Sequence, residues 1–307
     1  MARDPRADIL EDDLFPKSKP KIHRVHAHRS MDGVIHVNVG GESHHSRGGG
    51  FFGINNNQPV ELHKGKIWHF TKEEKHHLIL ATGAFTLALG LMRVGGIFGI
   101  SAYSSSSIWA AWLLLSMPVM LIAVGPAFVL HELGHKIVAK NYGCWAEFRA
   151  DPGGLKFGVG LAAILGIVFM APGAVMVAGI VTRRQNGHIA LAGPVVNLLL
   201  FIIGIPLGGI ILGLTGADVA GAASYIGEGT INIKPMIYDL VFFWITANLI
   251  LGAFNMLPFG PLDGAKIKDW NEGVWFAFFT LFVGLTILMI TGIWNAMSIA
   301  VLIAELF

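Results

Sequence analysis

Long apolar stretches decide what this chain can fold into. They run at about 78–100, 108–130, 158–181, 188–213, 235–258 and 273–305. Each is as long as the roughly 20 residues that a helix needs to cross the hydrocarbon layer. Of 307 residues, 53% are hydrophobic and only 14% charged, too few charges to cover the surface of a soluble domain of this length. The sequence therefore reads as an all-α polytopic membrane protein with about five to six transmembrane helices. The last stretch is long enough for one tilted helix, or for two short ones broken near Thr291-Gly292.

Residues 1–76 differ in kind. They hold 12 of the 22 Lys and Arg, and ten of the 13 histidines lie within the first 77 residues. Gly40-Gly41 and Gly48-Gly49-Gly50 interrupt any long element, and the alternation from Val34 to Val39 fits one short strand. His23, His26, His28, His36, His44 and His45 match no defined metal cage, so the segment reads as a polar cytoplasmic extension ahead of a membrane-embedded domain at 77–307. The first thirty residues carry no apolar core of a cleavable signal. A net charge of +2 offers no basic surface for nucleic acid, and a single cysteine, Cys144, has no partner in the chain for a disulfide.

Lys and Arg set the orientation. A basic extension stays in the cytoplasm, so 78–100 crosses outward to the uncharged connection Ser101–Ser107. The 108–130 stretch returns, and the loop after it holds Lys136, Lys140, Arg149 and Lys156. The expected location is the cell membrane, with multiple passes and a cytoplasmic N-terminus.

The returning stretch runs straight into His131-Glu132-Leu133-Gly134-His135, an HExxH motif. Residues four apart stack on one helical face, so both imidazoles can hold one metal ion. Glu132, offset by one position, is placed to reach a water on that metal, as in zinc hydrolases. Two histidines and a glutamate are costly at the end of an apolar helix unless a ligand or partner is present. The plainer reading is a charged helix end facing the cytoplasm.

A catalytic zinc needs a third protein ligand. An extended motif with a later histidine fails, because Val138 and Asn141 stand where glycine and histidine would be. Downstream candidates are Glu147, Asp151, His188, Asp218, Glu228, Asp239, Asp263, Asp269 and Glu272. Asp263 is preferred, because the prolines and glycines of Pro258–Gly264 unwind the backbone, as is tolerated at membrane depth only beside a cavity or buried in protein. Asp239 competes, but it begins its apolar stretch and so lies near the opposite face.

HELGH on one helix, Ala192–Asn197 (AGPVVN) on a second and Asn255–Gly264 (N-x-x-P-x-x-x-x-D-G) on a third resemble the site-2 protease family of intramembrane metalloproteases. The likeness covers about residues 78–270, in order. It implies cleavage of a peptide bond within or near a transmembrane segment of a membrane-protein substrate, that is, regulated intramembrane proteolysis. It implies Zn2+ held by His131, His135 and Asp263, with Glu132 as acid and base. Asn255 and Asn197 are lone polar side chains in apolar helices, so they are candidate oxyanion or substrate contacts. Each has interhelical hydrogen bonding as its plainer role. Gly193-Pro194 reads as a packing or kink site.

HELGH arrives at the cytoplasmic side, and for Asp263 to share its metal the chain must cross an even number of times in between. Three apolar stretches intervene. The one at 158–181 carries Pro172 and ends in Arg183-Arg184, a pair expected to remain cytoplasmic, so it should be re-entrant or form membrane-associated β structure. Its strand-like run Ala174–Thr182 could pair with an extended substrate. The rival readings are a proton relay or transporter, which would usually carry internal repeats, and a silent relative that binds helices without cutting them.

Overall fold

The computed structural model describes residues 68–307, apart from 171, 221–223 and 228–229, together with two strands of the extension. The chain forms two compact units, Met1–Lys64 and Gly65–Phe307. In the first, β1 (Arg24–Arg29) pairs antiparallel with β2 (Ile35–Gly40), Arg24 opposite Gly40. The expected strand at 34–39 is thus present, and its partner has the same period-two pattern. Gly48-Gly49-Gly50, His23, His44 and His45 lie outside the described residues.

In the second unit, α1 (Lys72–Arg93) starts at Thr71, whose side chain accepts the Glu74 backbone N–H. A 3-10 turn at Phe98–Ala102 leads to α2 (Ser106–Asn141), 36 residues long and continuous through Pro118 and Pro126. Then come β3 (Trp145–Ala150), α3 (Pro152–Leu165) and β4 (Gly173–Ala178). Next are α4 (Arg183–Thr215), the two-residue strands β5 (Ile226–Gly227) and β6 (Thr230–Ile231), and α5 (Ile233–Asn255). Helices α6 (Asp263–Trp270), α7 (Glu272–Ile290) and α8 (Ala296–Ala304) complete the chain. Among the described residues five segments are long and apolar enough to span a bilayer: Lys72–Ala102, α2, α4, α5 and α7. The protein is a mostly helical, multi-pass membrane protein.

The stretch at 158–181 is not a crossing. Helix α3 is only 14 residues long, about 21 Å. Its Ala163 carbonyl accepts the Ile97 N–H beyond the far end of α1. Gly166, in the left-handed region at φ 67°, ends it. The chain then returns, with Met170 against Gly158, and β4 pairs antiparallel with β3, Ala150 opposite Gly173. The excursion enters and leaves on one side. The stretch at 273–305 is two helices, parted at Thr291–Asn295, where Gly292 has φ 72°.

Charged pairs mark the two ends of the helical bundle. Arg183 at the start of α4 meets Asp269 in α6 at 3.1 Å, at the end that carries HELGH. At the other end Arg93 binds Asp239 at 2.8 Å, and Tyr225 donates to the same carboxylate oxygen. Trp112 stacks on Tyr225, and the Arg93 guanidinium covers both rings. Asp239 is therefore already partnered, at the end away from the motif.

Candidate metal centre

His131 and His135 sit one turn apart on α2, and their Nε2 atoms face each other at 3.0 Å. Asp263, the first residue of α6, brings Oδ2 to 3.3 Å from His131 Nε2 and 3.1 Å from His135 Nε2. All three residues are buried, at 4–7% exposure. Asp263 arrives there because α5 stops at Asn255 and Gly260, at φ 63°, turns the chain. Gly264 makes the approach possible: a β-carbon there would lie 2.2 Å from the Met256 carbonyl oxygen.

The imidazoles are oriented from outside. His135 Nδ1 lies 2.7 Å from the Ile189 carbonyl, which can only accept. His131 Nδ1 lies 2.6 Å from Asn197 Oδ1, while the Asn197 amide donates to the Ala127 carbonyl and to Asn248 Oδ1. Both Nδ1 atoms therefore carry hydrogen, so each Nε2 directs a lone pair inward. Two nitrogen lone pairs and a carboxylate oxygen converging in a buried space could hold a metal cation. Outward hydrogen bonds from metal-binding histidines are the usual support of such a site.

The donor atoms of His131, His135 and Asp263 all lie within 4.8 Å of one another. A tetrahedral zinc with ligands at about 2.0–2.1 Å would space its donors by about 3.4 Å, close to the separations found. The other oxygen of Asp263, Oδ1, lies 3.6 Å from Lys266 Nζ.

Gly193 forms one wall. A β-carbon there would lie 2.5 Å from the Nε2 atoms of both histidines, against the two nitrogens that face Asp263. Beyond packing, this glycine leaves room for a ligand. Asn197 is spent on His131, Ala127 and Asn248, so it orients an imidazole and ties α2, α4 and α5 together. Asn255 donates to the Leu251 carbonyl one turn earlier in α5. Asn248 was not singled out from the sequence, although it carries the signal that marked Asn197, a lone amide in an apolar helix.

Glu132 is buried beside the trio, and the backbone N–H of Val175 in β4 faces its carboxylate. Val175 stands opposite Phe148 in the β3–β4 ladder. The Phe148 N–H points away from β4, to Glu74, so the Val175 N–H points away from β3, to the edge of β4 that no other strand covers among the described residues. Glu132 thus faces that free edge.

The family model of Peptidase family M50 matches residues 119–270, which contain the whole constellation. A candidate zinc metalloprotease of Methanocaldococcus jannaschii is 34% identical over 192 residues, covering 62% of this chain and 84% of the relative. A second protein of that organism, named a zinc metalloprotease, is 31% identical over 171 residues, 56% of this chain and 37% of the relative. A candidate zinc metalloprotease of Bacillus subtilis is 31% identical over 161 residues, 50% of this chain and 68% of the relative. No solved structure matches the chain significantly.

Proposed function

We infer the function of this chain from its membership: it belongs to Peptidase family M50, the site-2 protease family of zinc metalloproteases. It is a zinc-dependent protease with several membrane-spanning helices. We propose that it performs regulated intramembrane proteolysis, hydrolysing a peptide bond within or near a transmembrane segment of a membrane-protein substrate. One observation carries this reading: three metal-binding groups converge at a buried point beside Glu132 and the free edge of β4.

His131, His135 and Asp263 hold the metal. Bound there, zinc supplies Lewis acidity, which polarises a carbonyl and acidifies water. Glu132 takes the proton of the attacking water as the new C–O bond forms. It then passes that proton to the amide nitrogen as the C–N bond breaks. Helical amides are bonded internally and shielded, so a substrate helix must unwind locally before it is cut. The unpaired edge of β4 is suited to receive the unwound segment, since main-chain hydrogen bonds would hold it extended at Glu132. Asn255 remains a candidate substrate contact, and Asn197 orients His131.

The orientation is part of the proposal. Lys136, Lys140, Arg149, Arg183, Arg184, Lys266 and Lys268 lie on the elements that form the end of the bundle nearest the site. We place that end and the polar extension in the cytoplasm, where water reaches the site, with the other end outside the cell membrane.

The test is to reconstitute the purified protein with single-span membrane proteins, with and without a zinc chelator. Chelator-sensitive cleavage inside or beside the span is expected. Cleavage confined to soluble domains would overturn the reading.

A further inference from the structure

A second buried constellation lies one turn beyond the metal site, and the chemistry above makes no use of it. Lys136 follows His135 directly and lies one turn after Glu132 on the same face of α2. Its side chain is almost completely buried, at 1% exposure. The ammonium donates to both oxygens of Glu74, at 2.6 and 2.5 Å, and to the His69 carbonyl at 2.9 Å. It also sits 3.7 Å from the centre of the Phe70 ring. Glu74, at 0% exposure, accepts in addition the backbone N–H of Phe148 at 3.2 Å.

Those contacts close a ring. Lys136 binds Glu74, Glu74 binds the outer edge of β3 at Phe148, and Phe148 stands opposite Val175 in β4. The Val175 N–H faces Glu132, one turn before Lys136 on α2. The ring therefore ties the height of the β3–β4 hairpin to the helix that carries the motif. Phe148 adds an edge-on contact to Phe128 of that helix, with ring centres 5.6 Å apart. Neighbouring polar groups brace the same strand: Thr71 donates to Glu147, and Arg149 meets Glu147 at 2.9 Å.

We propose that Glu74 and Lys136 are positioning residues, a buried ion pair that holds the free edge of β4 in register with Glu132. An apolar contact would allow the hairpin to slide along α2. A charged pair with directed hydrogen bonds to the strand backbone defines one height. Their effect on cleavage rests on the proposed function; their effect on the hairpin does not.

The experiment compares the full-length protein with Lys136→Met, Glu74→Gln and the double variant Lys136→Met with Glu74→Leu. A single change strands a buried charge or leaves its partner short, and such a protein can fail to fold. The double variant removes both charges together, which buried pairs often tolerate. Zinc content should stay at the wild-type level in the double variant. Amide hydrogen exchange across residues 145–150 and 173–178 should quicken at least about ten-fold, reporting a loosened hairpin. For a single-span substrate, KM should rise about ten-fold or more, with a smaller change in kcat, because strand pairing supplies binding. Wild-type hydrogen exchange in the double variant overturns the proposal, as does a loss of cleavage that only follows a loss of zinc. If the wild-type protein cuts no membrane substrate, the proposed function fails, and hydrogen exchange still decides the role of the pair.

Discussion

The backbone of Gly193 stands so close to His131 that a β-carbon on the glycine would lie 2.5 Å from the imidazole Nε2. It would meet His135 Nε2 at the same distance. A methyl group there collides with both Nε2 atoms and must displace the imidazoles. Gly193→Ala should therefore lower zinc affinity by about 100-fold or more while the helices still form, since losing support around a metal already costs 10–100-fold. Zinc content by elemental analysis, beside circular dichroism, tests this; a fully loaded variant would show that the wall can yield.

Glu132 lies beside the three donors and outside their set, and the proposed mechanism makes it the base. Glu132→Gln keeps the size and removes the base. Zinc content should be unchanged and cleavage should fall by at least about 10²–10⁴-fold. Residual cleavage near the wild-type rate would take Glu132 out of its role.

Asp263 and Asp239 competed as the third ligand, and the fold separates them. Asp263→Asn should release zinc. Asp239→Asn should leave zinc bound and instead loosen the far end, where Arg93 and Tyr225 share its carboxylate. Asp239 is buried but the Arg93 side chain is 26% exposed, so the cost should be about 1–3 kcal/mol, below that of a fully buried pair. Zinc analysis and thermal unfolding of the two variants give opposite patterns if the assignment is right.

Asn197 holds His131 in its tautomer and joins three helices. Asn197→Ala should weaken zinc binding by about 10–100-fold, and Asn197→Asp should weaken it less, since an acceptor for Nδ1 remains. Competition with a chelator of graded strength measures both. Equal affinity in all three proteins would reduce Asn197 to a packing contact.

Much of the molecule was legible because its signals are local. Apolar length alone specifies the spanning helices, as unsatisfied backbone groups cannot persist in hydrocarbon. The four-residue spacing of His131 and His135 is a property of any helix, so the pair could be read without a fold. The basic pair Arg183-Arg184, with the need for an even number of crossings, was enough to identify 158–181 as an excursion that returns to its own side. The strand-like run Ala174–Thr182 was legible as well and is present as β4 (Gly173–Ala178); its partner β3 and what lies beside the hairpin were not.

The remainder depends on contacts between residues far apart in the chain. Asp263 is 128 positions after His135, and nothing in either neighbourhood specifies their separation of 3.1 Å. The packing of α4 against α2 makes Gly193 a wall and Asn197 a support; in sequence the one looked like a packing or kink residue and the other like a candidate contact to substrate. Glu74 looked like an ordinary acidic residue in a first helical turn. Its burial against Lys136 and Phe148 exists only once α1, α2 and β3 are assembled. The sequence by itself determined the helices and the stacked histidine pair, because hydrophobic length and helical period act over a few turns. Tertiary structure alone decided how closely Asp263 approaches that pair, the space Gly193 leaves beside it and the height of the β hairpin, because those are distances between elements.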